Sequence, residues 1–434
     1  MKHFQKSIFH PKRYFCFMNI LIIGHVWPEP HSSAAGSRMM QLIEVFLLQG
    51  WSVHFASASA KGERAENLEE LGVKEHSIKI NDSGFDAFLS DQQAGAKALK
   101  PKIVLFDRFM VEEQFGWRIR ENCPDALCIL DTEDLHGLRK ARENTLKTDR
   151  PSTKTDLLND TAKREIASIY RSDLTLVISE AEMELLKTFF GVPERLLFYL
   201  PFMVKKFSKT DMADLKSFEQ RTDFMTIGNF RHLPNLDAVR YLKKEIWPLT
   251  RKRLPGAKLH IYGAYPTQEV LGFHNKKEGF LVHGYAQSAA EVIQNARICL
   301  TPVRIGAGLK GKILESMLFG TPCVTTRIGA EGMFGQLPPN GAVADNPEKL
   351  ANDAVNLYTD IKSWEQAQQN GFEVINARFD RQKWMPLFVD QVKSTAENLE
   401  AHRIKNFTGA MLNHQSLQAT KYMSRWIEEK NKPR

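Results

Sequence analysis

The fold is decided by residues 298–326, which read ICLTPVRIGAGLKGKILESMLFGTPCVTT. An apolar run leads into a glycine-rich loop with two lysines, and a helical run then passes through a turn into a second apolar run. Apolar runs that lack polar alternation and are separated by helices predict parallel strands buried on both faces. The stretch therefore predicts a strand–loop–helix–strand unit of an α/β sheet.

The glycine-rich loop of this unit is suited to an anionic group. We expect the helix to start near Lys310 or Gly311, and helix N-termini present unpaired N–H groups and a partial positive charge. Gly306 and Gly308 allow the backbone to approach a ligand closely, and Lys310 and Lys312 add full charges. The pattern predicts a phosphate-binding loop.

The predicted helix has a buried side and a side that faces the crevice. Lys312 and Glu315 lie three residues apart, next to the apolar stripe, and point toward the crevice. A carboxylate one turn inside the helix is suited to accept hydrogen bonds from sugar hydroxyls. In the alternative, the two residues form a surface ion pair that contributes roughly a few tenths of a kcal/mol. The spacing leaves both interpretations open.

The strand–loop–helix–strand pattern occurs in both halves of the chain. Residues 19–57 contain ILIIG, a helical run and SVHFAS, and residues 223–263 contain FMTIG, a helical run and KLHIYG. Further strands are predicted at 103–106, 127–131, 174–179, 196–201, 280–284, 298–303 and 323–326. The chain therefore predicts two doubly wound, Rossmann-like α/β domains facing a central cleft. Ligands bind at the carboxyl ends of the strands in such domains.

Domain boundaries follow from changes in composition. A basic, aromatic segment precedes Met18 and lacks the features of a signal peptide, so we interpret it as a membrane-surface arm or as the product of an upstream start codon. The final residues are basic and weakly periodic, which is typical of a solvated surface helix. The predicted division is an extension (1–17), an N-terminal domain (18–200), a polar linker (201–222), a C-terminal domain (223–380), a C-terminal helix (381–399) and a basic tail (400–434).

Composition restricts the class of protein and its partners. The chain has 434 residues, 43% of them hydrophobic, with a net charge of +8, and it has no apolar run long enough for a membrane span. Its five cysteines show no C-x-x-C spacing, which predicts a reduced, cytoplasmic protein without a metal cluster. The positive charge suits a nucleotide or an anionic membrane surface, with peripheral contact at the inner membrane. We expect no nucleic-acid partner, because no motif or aromatic-rich basic patch supports one.

The sequence argues against two other nucleotide-binding motifs. Residues 306–312 satisfy G-x-x-x-x-G-K, but Ile313 stands where a P-loop requires Ser or Thr to ligate magnesium. Neither strand–helix opening carries G-x-G-x-x-G, which argues against a dinucleotide-dependent oxidoreductase.

The run from Pro302 to Gly332 resembles the donor-site signature of glycosyltransferases of group 1, family 4, which have the GT-B fold. Three other segments resemble a bacterial branch of that family, namely TIGNFRHLPNLDAVRYL (226–242), VISEAEMELL (177–186) and ILDTEDLHGLR (129–139). The resemblance extends from Met18 to about Asp390.

This resemblance implies an activity. Members transfer a sugar from a nucleotide-diphosphate-sugar donor, usually with retention at the anomeric carbon, and without a required metal or cofactor. Their acceptors are glycans, lipid-linked sugars and small molecules, often in polysaccharide biosynthesis. The sugar, the base and the acceptor of this chain stay open.

The resemblance also implies residue roles in the donor domain. Glu315 matches the second glutamate of the family's E-x7-E motif and is expected near the donor ribose hydroxyls. The first glutamate falls at Ala307, so backbone amides at Gly306 and Gly308 and the charge of Lys312 are expected to act there.

The first loop of the donor domain departs from the family pattern as well. Asn229 follows Gly228, and Asn235 stands near the place of the usual lysine. Arg231 is a candidate substitute. We therefore expect the diphosphate charge to rest on Arg231 together with Lys310 and Lys312.

The N-terminal domain offers candidates for the acceptor side. Glu133, Asp134 and His136 follow a predicted strand and are candidate catalytic residues; in the alternative, Asp134 caps the next helix and His136 is an ordinary surface residue. Gly36 and Arg38 could meet the acceptor or a phosphate, or could be a helix N-cap and a solvated first-turn residue. Asp107 and Arg108 are interpreted as an ion pair.

Two rival functions share the same expected fold. A GT-B nucleotide-sugar epimerase would bind the same donor but need no acceptor. A non-catalytic nucleotide-binding scaffold is suggested by Ala307, where the family carries a carboxylate.

Overall fold

The computed structural model describes residues 18–90, 98–148, 150 and 153–431, without the side chains at positions 209, 213 and 415–417. The predicted N-terminal extension 1–17 and the last three residues of the predicted basic tail lie outside the described residues.

The first half of the chain forms a seven-stranded parallel sheet in the order β3-β2-β1-β4-β5-β6-β7. Its strands are β1 (Asn19–Gly24), β2 (Ser52–Ser57), β3 (Lys74–Ser77), β4 (Ile103–Asp107), β5 (Leu127–Asp131), β6 (Leu174–Val177) and β7 (Leu197–Tyr199). The helices along this half are α1 (Ala34–Leu48), α2 (Gly84–Leu89), α3 (Phe109–Asn122), α4 (His136–Thr148), α5 (Asp160–Arg171) and α6 (Glu180–Thr188).

The second half forms a six-stranded parallel sheet in the order β10-β9-β8-β11-β12-β13. Helix α7 (Lys209–Ala213) precedes it. The strands are β8 (Thr222–Ile227), β9 (Leu259–Tyr262), β10 (Phe280–Gly284), β11 (Ala296–Thr301), β12 (Cys323–Thr325) and β13 (Gly341–Val343). The helices are α8 (Leu233–Tyr241), α9 (Trp247–Arg253), α10 (Gln268–Gly272), α11 (Ala289–Asn295), α12 (Gly311–Leu318), α13 (Arg327–Ala330), α14 (Pro347–Thr359) and α15 (Ile361–Arg378).

Each sheet is covered by helices on both faces. Alternate residues of β1 enter opposite cores, since Ile20 and Ile22 pack with α1 while Leu21 and Ile23 pack with α3. The second sheet likewise separates two apolar cores. The predicted fold class is confirmed: two Rossmann-like domains with parallel sheets.

Two edge strands escaped prediction because they carry no apolar run. Strand β3 reads KEHS and pairs only with β2. Strand β13 reads GAV, and a Cβ atom on Gly341 would lie 2.1 Å from the Cys323 carbonyl oxygen. An edge strand buries less of its surface than a central strand, so its sequence is less apolar.

The last three helices return to the N-terminal domain. They are α16 (Arg381–Glu397), α17 (Leu399–Ile404) and α18 (Phe407–Lys430). Phe388 on α16 packs against Phe46 of α1, with ring centroids 5.7 Å apart. Helix α18 packs on α3 and α5, and its Ser424 is buried. The residues that the sequence identified as a basic tail thus form, as far as they are described, a helical layer on the N-terminal domain.

The chain passes between the domains twice at neighbouring points. It leaves the N-terminal domain near Val204 and comes back near Asp380, and these two residues form a parallel bridge. Among the described residues, none of the helices combines the length and apolarity that crossing a bilayer requires.

Candidate active site

The glycine-rich loop lies between β11 and α12 and faces the cleft. Gly306 and Gly308 have φ values of 155° and 62°, which glycine adopts without a steric penalty. Helix α12 begins at Gly311 with Lys310 as its N-cap, as the sequence predicted. A Cβ atom at position 308 would lie 2.9 Å from the Cβ atom of Asp134 in the N-terminal domain. Glycine at this position therefore permits close contact between the domains.

Two side chains of the N-terminal domain hold this loop. Arg142 on α4 donates to the Gly306 carbonyl oxygen at 2.5 Å and to both carboxylate oxygens of Glu331 at 2.9 and 2.6 Å. Glu182 on α6 accepts a hydrogen bond from the Gly308 amide at 2.7 Å. In this closed arrangement the Gly308 amide is therefore bonded to a protein carboxylate, which differs from the expectation that it faces a phosphate.

Of the two lysines of the loop, Lys310 is buried and Lys312 is partly buried. Lys310 donates from Nζ to the Gly308 carbonyl oxygen at 2.6 Å, and Lys312 donates to the Asn235 amide oxygen at 2.6 Å. Burial lowers the pKa of each lysine to about 8. Since each ammonium group is bonded to a neutral oxygen, an incoming anion would stabilise its charged form.

Glu315 lies one turn along α12 from the lysines. Burial raises the pKa of Glu315 to about 7, and the positive charge of Lys312 opposes this shift. Lys312 donates to Asn235 instead of to Glu315, so the alternative of a surface ion pair between them does not describe the structure. A buried carboxylate gains from hydrogen-bond donors such as hydroxyl groups.

The first loop of the C-terminal domain lies against Lys312. A Cβ atom on Gly228 would lie 3.0 Å from Lys312 Nζ and 2.8 Å from the Asn235 side chain. Asn235 also donates to the Asn229 carbonyl oxygen at 2.8 Å. Glycine at 228 thus leaves room for the Lys312 side chain, and the Asn229 carbonyl oxygen helps to hold the Asn235 side chain in place.

Arg231 in the same loop packs on an aromatic ring, and its expected contact with the diphosphate stays a prediction. Its guanidinium group lies 3.6 Å from the centroid of the Tyr265 ring. The Tyr265 hydroxyl donates to Glu29 of the N-terminal domain at 3.0 Å. Arg231 is solvent-exposed and, in this arrangement, part of an aromatic contact between the domains.

The predicted cluster on the N-terminal domain lies across the cleft. Glu133 has a φ of 59°, and its burial, followed by the charge of Asp131, raises its pKa well above the ordinary value. Asp134 accepts from Arg139 at 2.5 Å and lies 3.3 Å from His136 Nε2. Burial lowers the pKa of His136 to about 4, so its imidazole is neutral at pH 7.

The alternative that Asp134 caps the following helix is wrong. Glu165 accepts from the His136 and Gly137 amides, each at 3.0 Å, and Glu182 accepts from the amide before them at 2.8 Å. The side chain of Asp134 is engaged elsewhere, so it remains on the cleft side.

Arg108 extends this cluster. It follows β4 as Glu133 follows β5, and its φ is 74°. Positive φ values in non-glycine residues cost on the order of 1–3 kcal/mol and concentrate at functional sites. The Arg108 Nε atom lies 3.7 Å from Asp107, as the predicted ion pair requires. The positive charge of Arg108 opposes the raised pKa of Glu133.

Gly36 and Arg38 occupy structural positions. The N-cap of α1 is Ser33, whose hydroxyl accepts from the Gly36 amide at 3.0 Å, so the alternative of Gly36 as N-cap is wrong. A Cβ atom on Gly36 would lie 2.5 Å from the Glu29 backbone. Arg38 is 1% exposed and donates to both oxygens of Asp131, so it is neither solvated nor open to an acceptor or phosphate in this arrangement.

Sequence reasoning missed the residues that join the domains. Arg142 belongs to a charged helix in which nothing distinguishes it from Arg139. Glu182 lies inside the segment VISEAEMELL, whose resemblance located the helix but gave the carboxylate no role.

The described residues contain no group of three or more His, Cys, Asp and Glu side chains arranged to hold a metal ion. Metal independence stays a prediction from the resemblance.

Comparison with known proteins identifies the class of fold. Residues 221–360 match the sequence family described as Glycosyl transferases group 1. Solved structures that resemble this chain include GT-B glycosyltransferases, which have two Rossmann-like domains. No curated protein matches the chain.

Three solved structures illustrate the similarity, each at low identity. Sucrose-phosphate synthase from Thermosynechococcus elongatus is 14% identical, with a TM-score of 0.63 over 87% of this chain and 98% of that one. Anabaena HepE, solved with UDP and glucose, is 13% identical, with a TM-score of 0.64 over 87% and 100%. A single-residue mutant of S. aureus TarM, solved with Fondaparinux, alpha-GlcNAc-glycerol and UDP, is 11% identical, with a TM-score of 0.63 over 86% and 99%.

Proposed function

We propose that this protein is a retaining glycosyltransferase that moves a sugar from a nucleotide-diphosphate donor to a glycan, lipid-linked or small-molecule acceptor. One observation carries the proposal. Two lysines bonded to neutral oxygens, the buried Lys310 and the partly buried Lys312, lie at the N-terminus of α12 in the cleft between the domains.

The donor side supplies charge for the leaving group. Breaking a glycosyl–phosphate bond places negative charge on the departing diphosphate and positive charge on the sugar ring. Fixed positive groups at the departing oxygens stabilise that transition state, and they do so best where water is excluded. Lys312 and the first amides of α12 supply this charge, while Glu315 is available to the ribose hydroxyls.

The N-terminal domain is proposed to orient the acceptor. Glu133, Asp134 and His136 lie across the cleft from Gly308, and neutral His136 can donate or accept a hydrogen bond. An acceptor that attacks from the face of the leaving group needs no enzyme nucleophile. This route gives retention, and we assign no covalent catalyst.

The test has two stages. A thermal-shift screen with UDP, GDP, ADP and their sugars should reveal one base that raises the Tm, because a ligand that binds only the folded state stabilises it by about 2.7 kcal/mol at 100 times its Kd. The donor with that base should then be consumed with an acceptor pool of glycans, lipid-linked sugars and small alcohols, and NMR should show the donor's anomeric configuration in the product.

Each rival function predicts a different result in this assay. Isomerised nucleotide sugar without acceptor would identify an epimerase. Binding of a nucleotide without transfer, isomerisation or slow hydrolysis of any donor would identify a non-catalytic scaffold and would contradict the proposal.

We also propose peripheral contact with an anionic membrane surface through α17 and α18. Among the described residues, the exposed aromatic side chains of large size all lie here: Phe407 (79% exposed), Tyr422 (64%) and Trp426 (59%). The opposite side of α18 packs on α3 and α5. Lys405 and Lys430 flank the aromatic side chains, and aromatic rings with flanking cations are typical of helices that lie at a membrane interface.

Vesicle binding tests this contact. The protein should co-sediment with vesicles of phosphatidylcholine and phosphatidylglycerol, less so at high salt, and weakly with phosphatidylcholine alone. Phe407→Ser with Trp426→Ser should lower the bound fraction about fivefold or more. Leu271→Ser, which changes an exposed leucine on α10, serves as the control. Equal vesicle binding by the double variant would contradict the membrane contact. So would light scattering that shows the wild type as a dimer and the double variant as a monomer, because the exposed aromatic residues would then belong to a dimer interface.

A further inference from the structure

Glu182 occupies a position that its local sequence does not explain. Ser179 is the N-cap of α6 and Glu182 lies three residues later, the spacing of a capping box. The Ser179 side chain nevertheless makes no capping bond. The Glu182 carboxylate instead accepts from the Leu135 amide at 2.8 Å and from the Gly308 amide at 2.7 Å. A residue placed to stabilise its own helix is thus used to join two domains.

This carboxylate is buried at a cost. Glu182 is 0% exposed, and its Oε2 atom has no hydrogen-bond partner among the described residues. Burial, followed by the negative charge of Asp134, raises its pKa to about 7. A buried carboxylate with an unbonded oxygen is unfavourable for folding, so stability does not account for Glu182. The specific feature that Glu182 provides is its contact with the Gly308 amide.

The second half of the same contact is made by Arg142. It donates to the Gly306 carbonyl oxygen, two residues before the amide that Glu182 holds. The N-terminal domain thus binds the loop by a donor at one end and by an acceptor near the other. Gly308 also lies too close to Asp134 to carry a side chain. All of these contacts join the two domains, so separating the domains would break them.

We propose that Glu182 is a positioning residue that, together with Arg142, orders the loop at 306–310 upon domain closure, so that the acceptor domain sets the conformation of the donor loop. The catalytic content of this inference, slower transfer when the loop is not ordered, rests on the proposed function. Its structural content, the ordering of the loop by Glu182 and Arg142, does not. In this proposal Glu182 acts through the backbone of Gly308.

Hydrogen exchange tests the structural content without any substrate. In the ligand-free full-length protein, peptides covering 306–310 should exchange about tenfold faster in Glu182→Ala than in the wild type, because a lost hydrogen bond to a charged group has an effect of this order. Glu184→Ala changes an exposed carboxylate on the same helix and should leave the exchange unchanged. Unchanged exchange in Glu182→Ala would overturn the proposal, even if the protein proves to be a glycosyltransferase.

Kinetics test the catalytic content with the nucleotide sugar that the turnover assay identifies. Glu182→Ala should lower kcat about 10- to 100-fold, while the Kd for the free nucleotide stays within about twofold, because the proposed role of Glu182 is to set the loop for sugar transfer and not to bind the nucleotide. Glu182→Gln keeps an oxygen that can accept from Gly308 and should recover most of kcat. A raised nucleotide Kd with unchanged kcat would identify a direct donor contact and overturn the proposal.

Arg142→Gln keeps the test valid if Glu182→Ala fails to fold. Arg142 is only partly buried, and its loss leaves no buried charge behind, since Glu331 remains partly exposed. The variant should show the same pattern, faster exchange at 306–310 and a lower kcat with unchanged nucleotide Kd. If it exchanges and turns over like the wild type, the coupling between closure and loop order is absent.

Discussion

Lys312→Met should lower kcat/KM for the nucleotide-sugar donor by about 10²- to 10³-fold. Removing one fixed group that stabilises developing negative charge costs about 2.7–4 kcal/mol of transition-state stabilisation in comparable sites. Lys312 is held by the Asn235 amide oxygen at 2.6 Å and lies against Gly228, so its ammonium group is fixed before the donor arrives. Initial rates across donor concentrations, at saturating acceptor, measure the effect.

The same substitution should leave the fold intact at neutral pH. The pKa of Lys312 is lowered from 10.5 to about 8, so below about pH 8 the folded protein holds a charge that burial disfavours. Between about pH 8 and 10.5 the unfolded chain binds this proton and the folded protein does not, so the contribution of Lys312 makes stability rise with pH in that window. Lys312→Met should lack this contribution, which urea unfolding at pH 7.5 and 9.5 measures.

Lys252→Met provides the matched control. Lys252 is an exposed lysine on α9 of the same domain and should tolerate the change with unaltered kinetics and stability. A Lys312→Met protein that folds and retains wild-type kcat/KM would remove Lys312 from the leaving-group role, and the donor site would have to lie elsewhere in the cleft.

Asp131→Ala should destabilise the N-terminal domain by about 3–5 kcal/mol, because it leaves the charge of Arg38 buried without a partner. Arg38 and Asp131 are 1% and 0% exposed. The Arg38 Nε and Nη2 atoms donate to the carboxylate at 2.9–3.1 Å, and Nη1 donates to the Leu200 carbonyl oxygen at 2.8 Å. The pair therefore connects α1 to the end of β5, and Arg38 also connects α1 to Leu200, the residue after β7. Urea unfolding at pH 7 measures the loss.

Two further variants separate the buried charge from a general loss of packing. Arg38→Met combined with Asp131→Leu removes both charges and should recover much of the lost stability. Glu113→Ala removes the partner of exposed Arg164 and should cost no more than about 1 kcal/mol. If Asp131→Ala is as stable as the wild type, Arg38 does not need Asp131 to compensate its charge. That result would favour the acceptor or phosphate contact that the sequence suggested for Arg38.

The sequence predicted the donor half of the candidate site better than the acceptor half. The glycine-rich loop and the start of α12 follow from local pattern, whereas the structure showed that Lys312 lies against the first donor-domain loop. The prediction for Arg38 was wrong because a basic residue in a first helical turn is usually solvated. Here Arg38 instead donates to the carboxylate of Asp131 at the end of β5. Glu133 and Arg108 were recognisable as residues after strands, but their positive φ values were not.

By itself the sequence determined two parallel sheets, a cleft between them and a cationic loop at that cleft, since these depend on apolar runs, glycines and charges close together in the chain. Only the tertiary structure decided that α16 to α18 cover the N-terminal domain and that Glu182 and Arg142 hold the loop. Glu182 and Gly308 are 126 residues apart, and Arg142 and Gly306 are 164 apart. A contact between such distant residues follows from how the two domains pack, and no local pattern encodes it.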